Sequence, residues 1–82
     1  MPLNIGQAVR KRIIDLCQSH DLTVNGLANI CGVTQSTVNN IVSGRNKSAT
    51  VSTVKKICDG LGMTIQEFFD DEVFYDLEQE IK

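Results

Sequence analysis

The sequence is poor in the residues from which special structure and chemistry are usually built: one proline, one histidine, one tyrosine, no tryptophan and three cysteines in 82 residues. A single proline beside six glycines, with 41% hydrophobic residues, excludes a disordered or collagen-like segment and points to one small folded domain. Cys17, Cys31 and Cys58 are odd in number and form no C-x-x-C, so neither a disulfide framework nor a zinc site is signalled. They read as small buried hydrophobes. His20 stands alone between Ser19 and Asp21. No cluster of His, Cys and carboxylate residues has catalytic or ligating spacing, so neither an enzyme nor a cofactor is expected. No apolar run nears the roughly 20 residues of a membrane span, and Met1-Pro2-Leu3-Asn4 lacks a basic segment leading into an apolar one. A cytoplasmic protein is the expectation.

Strand signals are missing too. No stretch alternates apolar and polar residues over six positions, and no Asn-Gly or Asp-Gly turn joins two β-branched runs. Spacings of three and four dominate, which gives an all-α chain. Ile5, Ala8, Val9, Ile13, Leu16 and Cys17 outline helix 1 over 5–19, opened by Asn4 and Gln7 in a capping-box pattern and broken at Ser19-His20-Asp21. Thr23 caps helix 2, which runs to about residue 29 or 31 and ends at Gly32; Thr34 caps helix 3 over 35–42, which stops at Ser43-Gly44. Thr50 opens helix 4 over 51–61, closed by Gly60 and Gly62, and Thr64 with Glu67 opens a short helix 5 carrying Phe68 and Phe69. Beyond Asp70 a sixth helix is allowed, because Val73, Phe74, Leu77 and Ile81 share one face, acids crowd its first turn and Lys82 closes it.

The net charge of −2 hides an asymmetry. Residues 1–69 carry seven Lys and Arg side chains against four acids, whereas residues 70–82 carry one lysine against six acids. A mildly basic domain over 1–69 therefore ends in an acidic amphipathic tail over 70–82. That split is compatible with a polyanionic partner for the basic part.

The informative stretch runs from Thr23 to Arg45, TVNGLANICGVTQSTVNNIVSGR. Two helices cross closely around a turn only with a small residue at the crossing, a left-handed residue in the turn and branched apolar residues facing inward. Ala28, Gly32, Val38 and Ile41 meet those demands. Their spacing, within LTxxxLAxxxGVTQSTVxxIxxG, resembles the helix-turn-helix of the Cro/CI-type, lambda-repressor-like DNA-binding family, and the likeness spans residues 5–69. It implies a compact five-helix domain, a double-stranded DNA operator as partner, and a small prokaryotic or phage transcriptional regulator, in the repressor role, with helix 3 in the major groove. Relatives often carry Gln where Val24 stands and helix-favouring residues where Gly26 stands.

At about 100° per residue, Val38, Ile41 and Val42 turn to the core while Gln35, Ser36, Asn39, Asn40 and Ser43 turn to solvent. Short amides and hydroxyls suit base edges, since Gln and Asn present donor and acceptor together to adenine. The resemblance makes Gln35, Ser36 and Asn40 the base readers, with Thr37 and Asn39 alongside. It makes Thr23, Asn25, Thr34, Ser43, Arg45, Asn46 and Lys47 the phosphate-binding set. Of Arg10, Lys11 and Arg12, which point three ways on helix 1, one or two should face DNA; Lys55 and Lys56 read as plain surface. Family members commonly pair on half-sites, and Phe68, Phe69, Val73, Phe74, Leu77 and Ile81 offer apolar surface for a homodimer, unless the tail folds back over its own domain. The alternative function is an antitoxin-type interaction module whose tail covers a partner toxin.

Overall fold

The computed structural model describes residues 2–44 and 49–81. Five α-helices follow in order: α1 Ile5–Ser19, α2 Val24–Cys31, α3 Gln35–Val42, α4 Val51–Leu61 and α5 Ile65–Phe69. Each opens on the residue its sequence nominates. The Asn4 side chain accepts from the Gln7 N–H while the Gln7 side chain accepts from the Asn4 N–H, and Thr64 with Glu67 repeats that reciprocal pair. Thr23, Thr34 and Thr50 accept from the N–H three residues on. Such caps matter because helices of five to fifteen residues are marginal alone in water.

α2 packs on α3 and α4, α1 packs on α3, and α4 packs on α5. Their buried faces meet in one core that includes Val9, Ile13, Leu16, Leu27, Ala28, Val38, Ile41, Val54, Ile57 and Phe68. Cys17, Cys31 and Cys58 belong to it, and all three thiols are free. Burial pushes each thiol above its ordinary pKa, with Cys17 and Cys58 adding to the effect at Cys31, so these side chains pack as apolar groups and stay protonated.

Two details depart from the sequence reading. Gly60 does not close α4; it lies inside the helix, where an added Cβ would sit 2.5 Å from Cys31 Sγ and 2.9 Å from both Cys31 Cα and the Ile30 carbonyl oxygen. A glycine is there because the α2 backbone passes over it, and Gly62 alone forms the left-handed C-cap. Nor does a sixth helix form. Among the described tail residues only a 3₁₀ turn, Glu72–Phe74, is helical; it packs on α1, and the chain then bends at Tyr75 and Asp76 and pairs Leu77 with Leu3 in a parallel bridge. The Glu78 N–H donates to the Leu3 carbonyl at 2.9 Å. The physical reason lies in tertiary packing: a helix this short is marginal by itself, and the observed path places Phe74 against the core and Phe69, at 4.8 Å between ring centroids.

The crossing at Gly60 makes a stability prediction. Alanine gains about 1 kcal/mol of helix propensity over glycine, but the crowding costs about 1–3 kcal/mol or more because two of the three atoms met are backbone. Gly60→Ala should therefore lower the melting temperature, by roughly 4–8 °C for each kcal/mol of net loss in a domain of this size; an unchanged or raised value in a thermal melt would contradict the close approach.

Candidate nucleic-acid interface

The turn between α2 and α3 is made by Gly32, which takes φ +69° and donates its N–H to the Ala28 carbonyl. Ala28, nearly fully buried, lets the two helices approach, and Val38 and Ile41 hold α3 by its inner face. What remains outward is the polar face. Gln35, Ser36 and Asn39 are exposed, and Thr37 and Asn40 are half-buried. The Thr37 hydroxyl lies 2.8 Å from that of Thr34, and its N–H donates to the same oxygen at 3.1 Å, so Thr37 is drawn to the cap and away from the centre of the outward face. No charged side chain interrupts the run from Gln35 to Ser43.

The other expected anchors surround this face. Thr23 and Thr34 spend a side-chain oxygen on capping α2 and α3, leaving the first N–H groups of both helices pointing away from their own turns. Asn25 is exposed in the first turn of α2, and exposed Ser43 donates to the Asn40 carbonyl at 3.3 Å. Arg45, Asn46 and Lys47 lie outside the described residues. The tail residues nominated for a dimer contact divide: Phe68 is 0% exposed and is a core residue of its own chain, a correction to that assignment, while Val73, Phe74 and Leu77 are half-buried where the tail returns to its own domain. Phe69 is 37% and Ile81 90% exposed, and Tyr75, which the sequence reading passed over, is 74% exposed.

The three cations of α1 have separate roles that their succession in sequence does not display. Lys11 pairs with Asp15 one turn on, at 3.6 Å. Arg12 turns inward: its Nε donates to the Phe68 carbonyl at 2.7 Å, one Nη to the Glu67 carbonyl at 3.0 Å and the other to Asp71 at 3.3 Å, with the guanidinium 5.8 Å from the centre of the Phe68 ring. It thereby caps the C-terminal end of α5, where carbonyls lack helical partners, and holds the tail to α1. Arg10 is exposed, and its Nε donates to the Val42 carbonyl at 2.6 Å, at the C-terminal end of α3. The wheel separates the three: Arg12 stands one turn from Ala8 and Leu16, both buried, which is the signal that could have placed it at the core edge. On α4, Lys55 pairs with Asp59 and Lys56 is exposed, in keeping with plain surface.

Among the described residues no group of three His, Cys, Asp or Glu side chains is placed to hold a metal ion, and no helix is long and apolar enough to cross a membrane. Residues 12–73 match the family model described as the Cro/C1-type HTH DNA-binding domain. A crystal structure of the prophage Lp1 protein 11 is similar with a TM-score of 0.78 and 33% sequence identity, over 92% of this chain and 99% of that one. No curated protein sequence matches the chain.

The contacts of Arg12 separate a structural cation from a DNA-binding one. Arg12→Ala removes charge-assisted hydrogen bonds to groups it partly buries, so unfolding in urea should show a loss of about 1.5–3 kcal/mol, with DNA binding keeping its dependence on salt. A variant as stable as the parent would overturn this role.

Proposed function

The chain belongs to the Cro/C1-type helix-turn-helix DNA-binding family, and from that membership we propose a mode of action in which α3 lies in the major groove of an operator and two copies occupy it together. It is a sequence-specific DNA-binding transcriptional regulator whose activity is binding and not catalysis. The observation that carries the proposed mode is the outward face of α3: Gln35, Ser36 and Asn39 exposed, with Asn40 and Thr37 at its margins, and no Lys or Glu among them. A merely soluble helix surface would carry those long charged residues, the usual solvent-exposed helix formers. Gln and Asn present a donor and an acceptor side by side, which matches adenine N7 and N6 in the major groove.

Affinity without cations on α3 has to come from its borders. The N-terminal ends of α2 and α3, with Thr23, Asn25 and Thr34, offer N–H groups to phosphate, and Ser43, Arg45, Asn46 and Lys47 are assigned to the backbone beyond the other end. Occupation of an operator by such a module blocks a promoter, so repression in the cytoplasm is the role assigned.

One α3 reads too few base pairs for an operator to stand out, and two half-sites about one helical turn apart remedy this. The exposed apolar side chains Phe69, Tyr75 and Ile81 support pairing through the tail region. The same exposed residues, set among the exposed acids Glu72, Asp76, Glu78 and Glu80, favour as second reading an antitoxin-type contact with a partner protein.

Selection of bound duplexes from a random pool tests the reading helix. Gln35→Ala should then lose about 1–3 kcal/mol of discrimination at one base pair, an A·T pair by the amide geometry. Unchanged preference across all single-base variants of the selected site would remove Gln35 from that role. For pairing, sedimentation should give a dimer on the selected operator, and replacing Tyr75 and Ile81 together by serine should lower the apparent mass and weaken operator binding while helicity stays. A full-length chain that sediments as a monomer at micromolar concentration, both free and on DNA, would exclude the dimer.

A further inference from the structure

The electrostatic difficulty of this interface is that its reading helix has no cation, while helix 1 carries three in a row. Two of these are committed: Lys11 to Asp15 and Arg12 to the end of α5 and Asp71. Arg10 differs in two respects. It makes no ion pair among the described residues, and its Nε is fixed at 2.6 Å on the carbonyl of Val42, the last residue of α3. An arginine held by Nε has its direction set while both Nη groups retain donors, and guanidinium presents such donors to phosphate as a planar fork.

We propose that Arg10 is a phosphate-binding residue of this regulator, pre-oriented by its bond to the end of the reading helix, so that α1 supplies the charge α3 lacks. The inference rests on the placement of α3 at the duplex. The Val42 carbonyl fixes where the charge stands: beside Ser43, at the border where α3 leaves the groove and the DNA backbone passes. Because the same side chain holds α3 and grips the backbone, phosphate contact and helix position are mechanically joined. The hydrogen bond also reduces the ordering cost of a long side chain on binding, since one of its donors is already engaged in the free protein.

The test is a salt series of binding by fluorescence anisotropy, using a duplex selected from a random pool and an unrelated duplex of equal length. Arg10→Ala should weaken both by the same factor and reduce the slope of log K against log salt by about 1, the signature of one lost phosphate contact. Arg10→Lys, which keeps the charge, should regain the slope. A purely structural role would not move the slope, so an unchanged slope in Arg10→Ala, with affinity kept or lost, overturns the proposal. Arg10→Gln gives the same reading should the alanine variant lose helicity. If the parent chain shows no preference between the duplexes, base reading by α3 fails, yet the slope still decides on Arg10, because a phosphate contact registers on any duplex.

Discussion

An eight-residue helix does not persist in water by itself, and everything the interface requires of α3 follows from that constraint. The helix exists where Val38 and Ile41 are buried against α1 and α2, each contributing about 1.5–3 kcal/mol of apolar burial, and where Thr34 satisfies its first turn. All of its apolar payload is therefore spent inward, which leaves a short polar face outward. The helix is divided lengthwise into a buried apolar side and an outward polar one. The demand passes on to α2, which must come close enough to cover α3, and from α2 to α4, where the absence of a side chain at Gly60 admits the Cys31 backbone. The contact of α2 with α4 at Gly60 thus helps set the position of α3, which packs on α2.

Much of this was legible in the chain because the signals are local. Asn4, Thr23, Thr34, Thr50 and Thr64 name the helix starts, since a cap acts on an N–H three residues away, and the apolar spacing of Ala28, Gly32, Val38 and Ile41 names the crossing. The less legible features are those whose partner is distant in sequence. Gly60 reads as a helix stop unless the α2 backbone above it is known. Arg10 and Arg12 are near neighbours in sequence, yet the first bonds residue 42 and the second residues 67, 68 and 71. The tail gave the periodicity of a helix because Val73, Phe74 and Leu77 are apolar at helical spacing; packing against α1 and pairing with Leu3 overrode that preference.

The two arginines show how one residue type serves two separate helix ends, Arg10 that of α3 and Arg12 that of α5. Arg12 turns its donors inward onto carbonyls and a carboxylate of the same chain, and is thereby removed from the surface charge available to a polyanion. Counting cations on a helix overstates its attraction for phosphate unless those already committed within the chain are set aside. Of the tail acids, Asp71 is anchored by Arg12, while Glu72, Asp76, Glu78 and Glu80 are exposed.

The parallel bridge between Leu3 and Leu77 joins the two ends of a chain whose helices all lie between them. Loop-closure entropy rises only with the logarithm of loop length, and the docking of α1 against the Glu72–Phe74 turn has already brought the ends together. Forming the bridge therefore closes a short residual gap and not a loop of seventy-odd residues, so its effective cost is that of a local turn. By the same reasoning, opening it returns little entropy and leaves the helical core covered. A seam held by the backbone bond from Glu78 to Leu3 opens, by the general rule for local unfolding, at less free energy than the helical core demands.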